Sequence, residues 1–134
     1  MGIYEKFSSD TELEKRGIVL DFGNGEWVRI ARMGGGNKKF VQLFESLMKP
    51  YRRAFELGTM DDDKAAEIMH EAFAKAIVLE WNITGKDGKP IEFTVENCKQ
   101  LFKELPEFFA TIKAEAENRA NFNRKAQEEE SGNS

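Results

Sequence analysis

Residues 17–33 read GIVLDFGNGEWVRIARM, with two apolar runs on either side of the segment Gly23-Asn24-Gly25-Glu26. Asn-Gly pairs accept the positive φ angles that tight hairpin turns require. The second run, Trp27–Met33, alternates along its length as a half-buried strand does. This pattern predicts a β-hairpin with strands at residues 18–22 and 26–33. Because two strands alone are marginally stable, we expect the hairpin to pack on helices or to extend a sheet in another copy of the chain.

The segment after the hairpin has the periodicity of a helix. Three glycines, Gly34–Gly36, break the chain, and Asn37 is a suitable N-cap. Apolar side chains then recur at helical spacing over residues 40–55. Pro50 lies inside that range and lacks the N–H that an α-helix needs, so we predict a kink or break at Met48–Lys49.

A second helix is predicted to begin at Asp61-Asp62-Asp63, because carboxylates are favoured at the positive end of a helix dipole. Its apolar stripe continues to Trp81 or Asn82, where we expect the helix to end. Residues 85–90, GKDGKP, form a turn by every local signal. The sequence therefore predicts one long helix from Asp61 to Trp81 or Asn82, ahead of the turn at residues 85–90.

Two further helices follow. Thr94 is the N-cap candidate of the first, and Pro106 suits the first turn of the second. The chain is thus predicted to be mainly α, with an N-terminal β-hairpin followed by a bundle of about four helices. We divide its 134 residues into an N-terminal extension (1–16), a single mainly helical domain (17–122) whose hairpin occupies 17–33, and a disordered tail (123–134) that is nearly devoid of apolar side chains.

Composition excludes several classes of protein. A chain of 134 residues, 40% apolar and 33% charged, fits one folded domain with a polar surface. It contains no run of about 18 apolar residues that would span a membrane, and its first ten residues lack the apolar core of a signal peptide. Cys98 is the single cysteine, so no internal disulfide is possible. The net charge of −4 argues against a dedicated nucleic-acid binder. We expect a cytoplasmic protein.

No motif for catalysis or metal binding is present. Gly34–Gly36 precede two lysines, but the spacing of a phosphate-binding loop is absent, so we interpret them as a hinge. Asp61–Asp63 lack the glycine and glutamate that a calcium loop places at its sixth and twelfth positions. His70 is the only histidine and forms no zinc-binding cluster. Cys98 falls on an apolar helix face, which favours a buried thiol. We predict no enzyme, no metal site and no cofactor.

A basic stretch precedes an acidic one. Residues 37–60 carry five basic and two acidic side chains, whereas residues 61–80 carry two basic and six acidic ones. The favoured interpretation is a pair of helices whose charges pair with each other. The alternative is a basic face for an acidic partner, formed by Lys38, Lys39, Lys49, Arg52 and Arg53.

Eleven phenylalanines are many for a chain of this length. A small domain buries only about two-thirds of its unfolded surface, so some of these side chains are available for a partner helix or a second copy, although core packing is the default. Trp81 is either a lid on the core or a binding anchor. We predict partner contacts at apolar residues of the last two helices and beside Trp81: Trp81, Phe93, Phe102, Phe108, Phe109 and Ile112.

Short motifs occur along the chain in a characteristic order: GIVLD (17–21), RIARMGGGNKKF (29–40), KPYRRA (49–54), GTMD (58–61), VLEW (78–81), DGKPIEFT (87–94), EN (96–97) and LP (105–106). Over roughly residues 10–125 this set resembles the tail assembly chaperones of long-tailed, siphovirus-like bacteriophages and prophages. The most specific part is Trp81 followed by a turn, DGKP, FT, EN and a Leu-Pro helix.

The resemblance implies a role in virion morphogenesis. Proteins of this type bind the long helical tape measure protein, keep it soluble and help to recruit tail tube subunits around it. They act in the host cytoplasm as oligomers and are absent from the mature virion. Many also exist in a longer form that arises by a −1 frameshift and contacts the tail tube protein. The alternatives are a structural tail or neck component of the virion and a small cytoplasmic helical interaction module.

Overall fold

The predicted hairpin is confirmed in a computed structural model that describes residues 2–4 and 16–122. Strands β1 (Ile18–Gly23) and β2 (Glu26–Ile30) pair antiparallel. The turn between them has positive φ at both central residues, 55° at Asn24 and 78° at Gly25, which matches the twist of the flanking strands. The predicted tail (123–134) and most of the predicted extension (1–16) lie outside the described residues.

A third strand makes the prediction of a mainly α fold wrong. β3 (Val78–Trp81) pairs antiparallel with β2, which gives a three-stranded sheet in the order β1-β2-β3 and a mixed α/β fold. The apolar pattern predicted that these residues form the last turn of a helix that reaches Trp81 or Asn82. That helix instead ends at Ala76.

Residues 78–81 form a strand rather than a helical turn because β2 provides them with a hydrogen-bonding partner. Val28 lies opposite Trp81 and Ile30 lies opposite Val78, so the apolar side chains of both strands share the inner face. The N–H of Ala31 also donates to the Ile77 carbonyl at 2.8 Å. β-Branched residues favour such a pairing. A four-residue buried strand and a final helical turn look alike in an apolar pattern, and only the fold separates them.

The expected bundle is roughly matched by the helices between residues 38 and 117. They are α1 (Lys38–Met48), α2 (Arg52–Glu56), α3 (Asp62–Ala76), α4 (Val95–Glu104) and α5 (Pro106–Glu117), with 3-10 turns at Lys49–Tyr51 and Arg119–Phe122. The predicted break at Pro50 is confirmed, because the 3-10 turn separates α1 from α2. Two predicted caps are also confirmed. Asn37 accepts from the Phe40 N–H, and Thr94 accepts from the Asn97 N–H, each at 3.0 Å.

The core lies between the inner face of the sheet and the helices. α3 is central and packs against α1, α4 and β3. Phe73 on α3 makes edge-to-face contacts with Phe40 on α1 at 5.5 Å and with Phe109 on α5 at 5.2 Å. Within residues 2–4 and 16–122, no helix combines the length and hydropathy needed to cross a bilayer.

Candidate functional site

Cys98 and His70 are the side chains with the potential to act as a nucleophile and a general base. Both pack against the core. Cys98 is fully buried on α4, and burial raises the pKa of its thiol to about 12. The reactive thiolate is therefore scarce at neutral pH. The His70 ring on α3 lies 4.6 Å from the Phe109 ring and 5.6 Å from the Phe102 ring. Burial lowers the pKa of this imidazole, against a smaller opposing effect of Glu67. In the part of the chain that the structure describes, no group of acidic, His or Cys side chains is arranged to hold a metal ion.

Three of the six predicted partner-binding residues are core residues. Phe102 and Ile112 have no exposed surface, and Trp81 is 7% exposed. The Trp81 indole N–H donates to the Ile91 carbonyl at 2.8 Å, and Phe93 packs edge-on against its ring at 5.0 Å. Trp81 thus covers one end of the core, as one of the two sequence interpretations proposed. Phe93, Phe108 and Phe109 are half-buried.

An exposed apolar cluster forms around Phe108. The Phe22 ring on β1 lies 5.8 Å from the Phe108 ring on α5, and Phe22 is 44% exposed. Leu105 precedes α5, is 50% exposed, and accepts a 3.0 Å hydrogen bond from the Phe108 N–H. We call Phe22, Leu105 and Phe108 the β1–α5 patch. It joins two elements that lie far apart in the sequence.

A groove continues from this patch along β1. Its volume is about 530 Å³. Ile18 and Leu20 line it from the strand, and Thr111, Glu115 and Asn121 line it from α5 and the turn that follows. Arg16, Asp21 and Arg29 line the strand side as well, so the groove presents apolar and charged side chains together, which suits an amphipathic ligand.

The patch is exposed because β1 is an edge strand. Ile18, Leu20 and Phe22 share the inner face of the sheet by their period of two, but no further strand lies beyond β1 within the described residues. The register of β1 is irregular between Asp21 and Gly23, where the Asp21 carboxylate accepts from the Gly23 N–H at 2.8 Å. An edge strand of this kind offers backbone groups as well as apolar side chains to a partner.

A second groove, of about 570 Å³, lies between α1, α3 and α4 and is lined largely by charged residues. Its acidic side chains correct the expected pairing of the basic and acidic stretches. Glu71 lies 3.2 Å from Lys75 and 3.6 Å from Lys99, and Glu67 lies 3.2 Å from Lys64. In residues 16–122 these glutamates are therefore paired with lysines of α3 and α4, not with the basic stretch. Lys64 and Lys75 lie within one turn of these glutamates on the same helix, and Lys99 reaches Glu71 from α4, which packs against α3.

Of the three residues of the β1–α5 patch, the sequence pattern singled out Phe108 and not Phe22 or Leu105. Phe22 was available as the third inward position of the first strand, after Ile18 and Leu20. Its exposure depends on which strand of the sheet lies at the edge, and that follows only from the pairing of β2 with β3.

Comparison with known proteins gives one match. A family model described as YdaY prophage protein matches residues 35–133. The match begins within Gly34–Gly36 and includes every helix from α1 to α5, as well as β3. No curated protein and no solved structure matches the chain. The helical half of the β1–α5 patch lies inside the matched residues, and Phe22 lies before them.

Proposed function

Because the chain belongs to the YdaY prophage protein family, we propose that it assists the assembly of a phage tail. In this role it is a non-catalytic chaperone that binds the tape measure protein, keeps it soluble and helps to recruit tail tube subunits. Membership of the family makes it a prophage protein. The finer role is supported by the ordered motifs that resemble tail assembly chaperones. On this proposal the chain acts in the host cytoplasm and is absent from the finished virion.

The observation that carries the proposal is the β1–α5 patch with its groove. A long amphipathic helix presents an apolar stripe and a polar face. The stripe would cover Phe22, Leu105 and Phe108, and the polar face would meet Glu115 and Asn121 across the groove. Burying a few such side chains gives modest affinity per copy.

Many copies on one long ligand would compensate for that modest affinity. Each bound copy raises the effective concentration of its neighbours along the same helix. A chaperone of this type therefore needs a small apolar surface that is repeated, rather than one large pocket. Contacts with the tail tube protein are proposed to belong to a longer, frameshifted form of the chain.

Co-expression with the tape measure protein of the same prophage tests the proposal. We expect the full chain to co-purify with that protein and to increase its soluble fraction. Phe22→Ser and Leu105→Ser should reduce both effects. Val41→Ser is the matched control, because Val41 is 49% exposed on α1, outside the patch and its groove.

Two results would contradict the proposal. One is a tape measure protein whose solubility and recovery do not change when the chain is present. The other is the presence of the chain in purified virions in a fixed ratio to the tail tube protein, measured by mass spectrometry. That second result would favour the structural tail or neck component instead.

A further inference from the structure

The backbone of β1 has hydrogen-bonding groups that face away from the sheet. The Trp27 N–H donates to the Asn82 side chain at 2.6 Å, and the Trp27 carbonyl accepts from the Asn82 N–H at 3.2 Å, so the backbone of Trp27 faces β3. Asp21 lies opposite Trp27, and Val19 lies two positions earlier on β1. Because bonded pairs alternate along an antiparallel ladder, the N–H and carbonyl groups of Val19 and Asp21 face away from β2. In the part of the chain that the structure describes, no strand pairs with this edge.

The groove described above follows this edge from the start of β1. Every residue from Arg16 to Phe22 lines it, and Thr111, Glu115 and Asn121 line it from the side of α5. A lining of consecutive strand residues includes side chains of both faces and the backbone between them. An extended peptide binds to an exposed sheet edge in this way, with its main chain bonded to the edge and alternate side chains packed beside it.

The edge fits an extended peptide better than a helix. The backbone groups of a helix bond to one another, so a helical ligand leaves the outward groups of Val19 and Asp21 to water. An extended peptide bonds to them directly. β1 also contains neither lysine nor proline, which many edge strands use to prevent such pairing. The irregular register between Asp21 and Gly23 limits the regular edge to the residues before the turn.

The side chains of β1 determine which peptide fits. Ile18, Leu20 and Phe22 share the inner face of the sheet, so a strand added beside them needs an apolar side chain at every second position. The positions between these lie next to Val19 and Asp21 on the outer face, which is open to water at both residues. The sequence of the peptide should therefore alternate between apolar and polar residues.

The charges of the groove indicate the direction of the peptide. Arg16 is exposed at one end of the groove and has no ion pair among residues 16–122. The other charged groups of the lining each have a partner in the structure: Arg29 with Glu80 at 2.7 Å, Asp21 with the Gly23 N–H at 2.8 Å, and Glu115 with Asn121 at 2.6 Å. A strand antiparallel to β1 places its carboxyl end at Arg16. A carboxylate there would therefore pair with the guanidinium group.

We propose that β1 binds an extended peptide as a fourth, antiparallel strand of the sheet. The peptide is apolar at every second position and carries a carboxylate next to Arg16. This site goes beyond the binding of a tape measure protein and does not depend on it. A strand in the groove would exclude a helix that lies over the same residues, so the two ligands compete.

N-methylated peptides test the pairing without changing the protein. The probe is the heptapeptide Ser-Val-Thr-Ile-Thr-Val-Glu, with a fluorophore on its N-terminus and a free C-terminus, and fluorescence anisotropy measures its binding to the full chain. Its threonines lie opposite Val19 and Asp21, so methylation of their backbone nitrogens should abolish binding. Methylation of the valine and isoleucine nitrogens, which face away from β1, is the matched control and should have little effect. The proposal is overturned if the unmodified probe does not bind, or if both methylations weaken binding equally.

A charge reversal tests the end of the groove. R16E should weaken binding of the probe by about fivefold, the upper range for one exposed ion pair. K38E makes the same change in net charge on α1, where Lys38 is exposed outside the groove, and should bind as the natural chain does. Equal affinities of R16E and K38E would overturn the place given to the carboxylate.

Amide hydrogen exchange followed by NMR locates the bound strand. The N–H groups of Val19 and Asp21 should exchange rapidly in the free chain and slowly when the probe is bound. The Leu20 N–H faces β2 and should exchange slowly in both states. The proposal is overturned if the probe binds without protecting Val19 and Asp21. It is also overturned if these two groups become protected with rising protein concentration in the absence of the probe, which would place a second copy of the chain at the edge.

Discussion

The indole N–H of Trp81 donates a 2.8 Å hydrogen bond to the backbone carbonyl of Ile91, and this bond ties the end of β3 to the segment that leads into α4. The N–H of Ile91 donates in turn to the Ile83 carbonyl at 2.8 Å. The turn GKDGKP between these residues is thereby closed at its base. Trp81, for which the sequence left open a lid on the core or a binding anchor, joins the sheet to the segment that leads into the last two helices.

Replacing Trp81 with Phe should lower the free energy of unfolding by about 1–3 kcal/mol. Phe keeps an aromatic ring, but a smaller one, so core packing is lost and the part-buried Ile91 carbonyl loses its donor. Urea denaturation followed by circular dichroism measures the change. Trp27→Phe is the control, because Trp27 is half-buried on the outer face of the sheet. Equal losses in the two variants would contradict the role given to the Trp81 hydrogen bond.

Gly17→Ala should be strongly destabilising. Gly17 has a φ of 77°, and an added Cβ would overlap the Ile30 carbonyl oxygen and approach Leu79 Cδ1 to 2.8 Å. The backbone conformation alone costs an L-residue about 1–3 kcal/mol, and the overlap adds to it. Thermal unfolding should show a clear decrease in Tm. Gly34→Ala should be nearly neutral, since a Cβ there meets nothing within 4 Å. A stable Gly17→Ala variant would mean that β1 does not start as described.

The Cys98 thiol should resist alkylation in the folded protein. It is fully buried, and burial raises its pKa from 9.0 to about 12. Iodoacetamide should modify it at a rate set by unfolding, and a denaturant should make the reaction fast. Rapid modification of the folded chain would contradict the burial of Cys98.

The same thiol should make stability depend on alkaline pH. The unfolded chain releases the proton near its usual pKa of 9.0, whereas the folded protein keeps it to about 12. The unfolded state therefore binds fewer protons between these values, and the free energy of unfolding falls as the pH rises above about 9. Cys98→Ala should remove this part of the pH dependence, which denaturation at several pH values will measure. An unchanged profile in Cys98→Ala would assign the loss to other groups.

His70 should titrate below 6.5 in the folded protein, because burial against Phe102 and Phe109 disfavours the imidazolium. The unfolded chain then binds the proton first as the pH falls, so folding is weakened below about pH 6.5. NMR titration of the single histidine measures its pKa directly. A value at or above 6.5 would show that the carboxylate of Glu67 outweighs burial.

The parts of the fold that depend on local chemistry were predictable from the sequence. The hairpin turn, the break at Pro50 and the caps at Asn37 and Thr94 each follow from residues within a few positions. β3 depends on β2, which lies about fifty residues earlier: Arg29 and Glu80, joined by a 2.7 Å ion pair, are 51 positions apart. No local pattern contains that pairing. The end of β2 at Ile30, rather than at Met33 as predicted, has the same cause, because the Ala31 and Met33 N–H groups donate to Ile77 and Ala116.

The candidate site was predictable only in part. Phe108 lies on the apolar face of a predictable helix, but its exposure depends on the neighbours that the tertiary fold supplies. Phe102 and Ile112 belong to the same pair of helices and are fully buried. The apolar stripe of a helix identifies the face that packs against the rest of the protein. It does not distinguish the side chains that become fully buried from those that stay partly exposed at the edge of the core.

The long separation between β2 and β3 also has a consequence during synthesis. A hairpin forms in about 1–10 μs, far faster than translation, so β1 and β2 begin to pair as soon as both have left the ribosome, although two strands alone are only marginally stable. Translation proceeds at roughly 5–20 residues per second, and the 51 positions between Arg29 and Glu80 therefore take about 3–10 s to emerge. Throughout that interval the nascent hairpin has an open edge on β2 and an uncovered apolar face. On a polysome, where adjacent ribosomes display the same unfinished hairpin, the risk of cross-pairing between nascent chains ends only when β3 has been translated.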